Sequence, residues 1–151
     1  FGGAGRRSEI KGKVNGAIII DDYGHHPTEV KVTLRAIREQ FPAKRIICVF
    51  QPHQYSRTLA FLEEFTHAFM DADMVIVPSI YEARDTAQDK KQISAQSFVE
   101  HIAQTHPQTI WGENFEKTEA LVRRKAKPGD IVVIMGAGDI GNLVQDLLAI
   151  K

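Results

Sequence analysis

The chain has 151 residues, 43% of them apolar and 25% charged, which is ordinary usage for a folded globular domain and a length that holds one core. Nineteen Lys and Arg balance nineteen Asp and Glu, so no global field draws the chain to nucleic acid or an anionic membrane, and neither is expected as a partner. The longest apolar runs, such as 17–20 and 131–135, hold four or five residues, far below the ~20 that span a bilayer. The single cysteine, Cys48, excludes an internal disulfide and fits a reducing compartment, so a cytoplasmic location is expected.

The chain begins with Phe1 rather than Met and its first five residues read as linker, so it is expected to be a piece of something longer. Residues 8–14, Asn15-Gly16 and residues 17–21 predict a β-hairpin, because Asn-Gly supplies the two positive φ angles of a type I′ turn. The polar first arm predicts an edge strand. Apolar runs then occur at 17–20, 45–50, 74–77, 109–111 and 131–135, continuous rather than alternating, as in strands buried on both faces.

Helical stripes lie between these runs. Val30, Leu34, Ile37 and Phe41 form the first, Leu62, Phe65 and Phe69 the second, and Phe98, Val99 and Ile102 the third. Leu121 and Val122 belong to a fourth, and Ile140, Leu143, Val144 and Leu147 to a fifth. Strand and helix alternate from end to end, which predicts an α/β, Rossmann-like fold: a mainly parallel sheet, helices on both faces, and an N-terminal β-hairpin at the edge. In such sheets ligands sit beyond the carboxyl ends of the strands, where the strand order reverses. Residues 79–92 read as one long loop.

The residues just after each strand are therefore the informative ones. The first strand runs into Asp21-Asp22-Tyr23-Gly24-His25-His26-Pro27-Thr28-Glu29. Pro27 suits the first helical position, which places His25 and His26 where free N–H groups favour an anion. The bland reading makes Asp22 a cap and the histidines turn filler. The second runs into Phe50-Gln51-Pro52-His53-Gln54-Tyr55-Ser56-Arg57-Thr58. Arg57 and His53 share a crevice with His25 if the two strands are neighbours. A cation at a helix N-terminus opposes the dipole, so Arg57 suggests a fixed anionic partner, a carboxylate being the best match to its fork.

Adjacent histidines diverge, and neither His-x-His nor His-x-x-x-His is present at these motifs, so no metal site is assigned. Cys48, inside a strand, is expected to be inert. Gly136-Ala137-Gly138-Asp139-Ile140-Gly141 matches the dinucleotide pattern G-x-G-x-x-G, but after the last strand and with only ten residues beyond it. The bland reading is close packing by glycine, with Asp139 capping the last helix.

Taken together, these motifs resemble the C-terminal domain of the Mur ligase family. The resemblance is carried by Phe1-Gly2-Gly3 with Arg6-Arg7-Ser8-Glu9, by the two helix-opening motifs, and by Lys127-Pro128-Gly129-Asp130 through Ile140. It implies a linker at 1–7 and, at 8–151, the amino-acid-binding domain that closes over the site. It also implies two further domains as partners: an N-terminal one for the UDP-sugar and a central P-loop one for ATP and Mg²⁺. Within the family the match is to the branch that joins L-alanine to UDP-N-acetylmuramate through an acyl phosphate in peptidoglycan synthesis. A ligase adding a preformed tripeptide to the same sugar is the alternative, as is a stand-alone nucleotide-binding module resting on the glycine turn. The chain lacks G-x-x-x-x-G-K-[ST], so it is expected to be inactive alone.

Position by position, the resemblance implies Asp22 as a contact to the ATP ribose. It implies Tyr23, His25, His53 and Arg57 around the amino acid, with Arg57 on the alanine carboxylate and His25 and His53 in positioning roles. Gln54 stands where many members carry Arg, which removes a possible second anion contact. Ser8 stands where an aromatic is expected, a change expected to touch only linker packing. The loop 80–92 matches the family poorly and is assigned no site.

Overall fold

Asn15 and Gly16 take φ of 51° and 81°, the paired left-handed angles of a type I′ turn, and join β1 (Glu9–Val14) to β2 (Ala17–Asp22) as an antiparallel hairpin. These residues belong to a computed structural model that describes residues 8–149; the proposed linker at 1–7 lies outside the described residues. Along the chain come α1 (Pro27–Gln40), β3 (Ile46–Phe50), α2 (Tyr55–Ala60), α3 (Leu62–Phe65), β4 (Met74–Val77) and α4 (Ala87–Gln92). After these are α5 (Ala95–Ile102), β5 (Thr109–Trp111), α6 (Phe115–Lys125), β6 (Ile131–Met135) and α7 (Gly141–Leu148).

The six strands form one sheet in the order β1-β2-β6-β3-β4-β5, with every pairing parallel except that of β1 with β2. β3, β4 and β6 are buried along their whole length, which is why their sequences are continuously apolar. Alternate residues feed two separate cores. Ile46, Cys48 and Phe50 pack with Val30, Leu34 and Ile37 of α1 and Phe98 and Ile102 of α5. Ile47 and Val49 face the other way, with Val122 of α6 and Leu143, Val144 and Leu147 of α7. The predicted two-sided sheet is the observed one, and the weak run 109–111 is its edge strand.

Two expectations are corrected. The stripe at 62, 65 and 69 is not one helix: α3 ends at Phe65, Phe69 lies beyond it, and the chain also breaks at Phe61 (φ −105°, ψ 17°) between α2 and α3. The break lets Phe61 meet His26 at 4.8 Å between ring centroids, while Phe65 and Phe69 each meet Phe50 at 5.4 Å. Residues 79–92 are not structureless, because Thr86 and Asp89 form a reciprocal capping box that starts α4. The sequence left open whether β2 and β3 are neighbours, and they are not. The chain crosses from β2 to β3, proceeds outward to β4 and β5, and returns to insert β6 between the first two.

Candidate functional site

The insertion of β6 decides how the site is assembled. Asp22, Met135 and Phe50 lie in register at the carboxyl ends of β2, β6 and β3. Beyond them, Gly136 N donates to Asp22 O (3.1 Å) and Gln51 N donates to Met135 O (3.0 Å), so the three exits leave the sheet tied together. The middle exit is nearly bare of side chains. Gly136 has φ 154°, and a Cβ there meets Ile140 at 2.9 Å and the Gln51 carbonyl at 3.1 Å. A Cβ on Gly138 collides with the Tyr81 ring and lies 2.9 Å from Gln51 Oε1. The outer loops therefore close over β6, and the His25 and His53 rings lie 5.2 Å apart although their strands do not touch. The glycine turn is used up in packing, and Asp139 does not cap α7; its carboxylate accepts from Gln51 Nε2 at 2.9 Å.

The first loop is built by its own capping. His26 is the N-cap of α1: its Nδ1 accepts from Thr28 N (3.1 Å), and Glu29 accepts in return from His25 N (3.2 Å) and His26 N (3.0 Å). Pro27 occupies the first turn, as predicted. Asp22 is not that cap. It is 1% exposed, accepts from Ser8 Oγ at 2.6 Å and from Gly24 N at 2.7 Å, and so fixes the turn after β2. Ser8 is accordingly more than linker packing, being buried with φ 53° and hydrogen-bonded to the residue that ends β2.

The second loop is held from outside. Gln54, in the N-cap position of α2, has φ 74° and makes no side-chain cap. The two leading N–H groups of α2 instead donate to Asp85, Tyr55 N at 2.9 Å and Ser56 N at 3.1 Å. Partial burial opposes ionisation of Asp85, but the N–H donors of Tyr55, Ser56 and Ala83 outweigh it and hold its carboxyl below the ordinary range. His53 stacks on Tyr81 with ring centroids 5.2 Å apart and planes at 21°. Its Nδ1 is buried with no partner among the described residues. Desolvation, reinforced by His25 and Arg57 and opposed by Asp85, lowers the His53 pKa, so this ring stays neutral at neutral pH.

Between the two loops lies a pocket of about 330 Å³ lined by His25, His26, Arg57, Phe61 and Phe65. It joins a guanidinium and two imidazoles to a phenyl wall, which suits a small solute with a carboxylate at one end and an apolar group at the other. Arg57 makes no ion pair among the described residues, so its charge is available to a ligand. Of the residues singled out from the sequence, His25 and Arg57 line this pocket and His53 adjoins it through His25. Tyr23 does not line it; it stands on the hairpin side in a groove with Glu9, Lys11 and Asp21. Sequence reasoning passed over Phe61, Phe65, Tyr81 and Asp85. Only Asp85 left a local signal: a helix that opens on Gln54, a poor cap, needs an anion from elsewhere.

Among the described residues no group of three or more His, Cys, Asp and Glu side chains converges to hold a metal ion. Cys48 is buried against Met135, and burial pushes its thiol far above the ordinary range, consistent with an inert side chain. No helix among the described residues is long and apolar enough to cross a membrane.

The model of the family "Mur ligase, glutamate ligase domain" matches residues 6–138. The UDP-N-acetylmuramate–L-alanine ligase of Alkaliphilus metalliredigens is 45% identical over 151 residues, all of this chain and 32% of that protein. Among solved structures, the UDP-N-acetylmuramate-alanine ligase MurC of Thermotoga maritima superposes with a TM-score of 0.75 at 23% identity, over 98% of this chain and 30% of that one. The murein peptide ligase of Psychrobacter arcticus gives the same TM-score, 0.75, at 21% identity, over 95% of this chain and 29% of that one. These two structural likenesses speak for the fold alone. The chain spans about a third of the length of such relatives. A match over nearly the whole chain, on a fold whose strand ends carry the helix-opening motifs, leaves one assignment: the chain belongs to the Mur ligase family, as its C-terminal domain.

Proposed function

We propose that this domain is the amino-acid-binding part of an ATP-dependent ligase that joins L-alanine to UDP-N-acetylmuramate through an acyl phosphate. The observation that carries the reading is the pocket itself, where Arg57, without an ion-pair partner among the described residues, lies with His25 and His26 beside the rings of Phe61 and Phe65. Arg57 takes the alanine carboxylate in its planar fork. Phe61 and Phe65 give the methyl group an apolar wall. His25, with neutral His53 behind it, lines the polar side without adding a fixed positive charge from His53 beside Arg57. The domain's contribution is then orientation of the amine toward the acyl group, not covalent chemistry.

The residues of this chain do not fit a nucleoside triphosphate with its metal. There is no phosphate-cradling G-x-x-x-x-G-K-[ST], and no carboxylate cluster among the described residues to share a cation. ATP and Mg²⁺ belong, in this reading, to the rest of the full-length enzyme, which also supplies the UDP-sugar site. Asp22 is 1% exposed and already accepts from Ser8 and Gly24, so in this reading it reaches a ribose only if the turn around it opens.

The tripeptide-adding alternative shares the fold, and the alanine reading is supported by the relative 45% identical over the whole chain, which carries the alanine ligase's name. The nucleotide-module alternative is set aside because the space beside Gly136 and Gly138 is filled by Ile140, Gln51 and Tyr81. The test is Arg57→Ala in the full-length enzyme. The KM for L-alanine is expected to rise roughly tenfold or more, an ordinary consequence of losing a charge-assisted contact, with the KM for UDP-N-acetylmuramate nearly unchanged. An unchanged alanine KM defeats the reading.

A further inference from the structure

The segment between β4 and α4 belongs to no predicted site, yet it is bound to the opening of α2 at four points. Tyr81 N donates to Pro52 O (2.8 Å) and Gln54 N donates to Tyr81 O (2.7 Å), a short parallel bridge beyond the end of the sheet. Asp85 completes the attachment with one carboxylate oxygen on Tyr55 N (2.9 Å) and the other on Ser56 N (3.1 Å). Ala83 N also donates to Asp85 (3.2 Å), which rigidifies the turn that presents the carboxylate.

The next residue of α2 is Arg57. No other side chain among the described residues caps the start of this helix, because Gln54 is strained and uncapped. At six residues α2 is too short to hold its own direction through internal hydrogen bonds. The bearing of its first turn, and of the guanidinium it carries, is therefore set by what grips those two N–H groups.

We propose that Asp85 is a positioning residue for the amino-acid pocket: by clamping Tyr55 N and Ser56 N it holds the first turn of α2 so that Arg57 faces His25 and His26. The inference rests on the assignment of Arg57 to the substrate carboxylate. It also gives the segment 79–86 a role, as a strap that couples the end of β4 to the pocket. Tyr81 serves the same strap on its other side, stacked on His53 and seated against Gly138.

Steady-state kinetics of the full-length ligase test this with four variants: Asp85→Ala, Asp85→Asn, Arg57→Ala and the double variant Asp85→Ala with Arg57→Ala. Asp85→Ala is expected to raise the alanine KM about tenfold, the scale of a reactant misplaced by a fraction of an ångström, while the UDP-sugar KM and kcat stay within about twofold. Asp85→Asn keeps one acceptor oxygen; it is expected to give a smaller rise, and it serves if the alanine variant fails to fold. Because Asp85 acts through Arg57, adding Asp85→Ala to Arg57→Ala is expected to raise the alanine KM no further. An unchanged alanine KM in Asp85→Asn and Asp85→Ala overturns the inference and leaves the role of Arg57 intact. So does a double variant whose KM rise is the product of the two single rises. An Arg57→Ala enzyme with an unchanged alanine KM removes the parent reading and this one with it.

Discussion

Two kinds of strand-to-helix turn stand side by side at one end of this sheet. The turns after β2 and β3 present histidines, a tyrosine and an arginine, and each opens a helix under a carboxylate, Glu29 for α1 and Asp85 for α2. The turn after β6 presents Gly136-Ala137-Gly138 and opens α7 with no side-chain cap. By residue type alone, the glycine turn resembles a phosphate loop and the other two resemble ornamented turns. In the folded chain the glycine turn is the floor on which the other two meet, and its missing side chains are what allow loops from non-adjacent strands to share a pocket. A glycine-rich turn at a strand end thus has two uses, to admit a ligand or to admit neighbouring protein, and only the neighbours decide which.

Filling the floor is the most damaging change expected here. Gly136→Val places a Cβ against Ile140 and the Gln51 carbonyl at a φ that branched residues avoid. Overpacking and backbone strain together are expected to cost about 3 kcal/mol or more, read as a lower urea midpoint for the domain. A stable Gly136→Val protein with an unchanged midpoint refutes the floor.

A milder loss is expected at the first turn. Ser8→Ala removes the donor to Asp22, a carboxylate only 1% exposed. Leaving that oxygen without its bond is expected to cost about 1–3 kcal/mol. Equilibrium unfolding that shows no loss means Ser8 is the packing substitution its sequence context suggested.

The subtlest consequence lies at the second turn. The folded His53 pKa lies below the ordinary 6.5 because the ring is desolvated and faces His25 and Arg57. The unfolded chain therefore binds this proton at higher pH than the folded one. The stability associated with a neutral His53 is full above pH 6.5 and is lost as pH falls through the folded value. An NMR titration of the ring is expected to give a midpoint below 6.5, moving up toward it in Tyr81→Ala, which uncovers the stacked face. A midpoint that ignores Tyr81 shows that the stack is not what desolvates the ring.

Much of this molecule is legible from residue order. Asn15-Gly16 specified its hairpin, because few residue pairs accept two positive φ angles. Pro27 after two histidines marked the start of α1, and the continuous apolar runs marked a sheet covered on both faces. Arg57, a cation against a helix dipole, stood out by being locally unfavourable, and it lines the pocket. Those features depend on single residues or on periodicity within one element.

Hidden from such reading is every feature that depends on which elements become neighbours. Whether β2 and β3 lie side by side was not legible in the chain, since strand order follows from how crossovers pack and not from the composition of either strand. The two loops meet all the same, for a reason visible only in three dimensions: β6 sits between them and is followed at once by glycine. Asp85 was unreadable as the cap of α2 because it lies 30 positions from Tyr55. Ser8 was unreadable as the partner of Asp22, 14 positions away, until the hairpin brought them together. Short-range sterics and hydrophobic periodicity were enough to set most of the elements, and the motifs at the strand ends carried the family resemblance. Which of those chemistries share a pocket was settled by long-range packing, which local sequence does not encode.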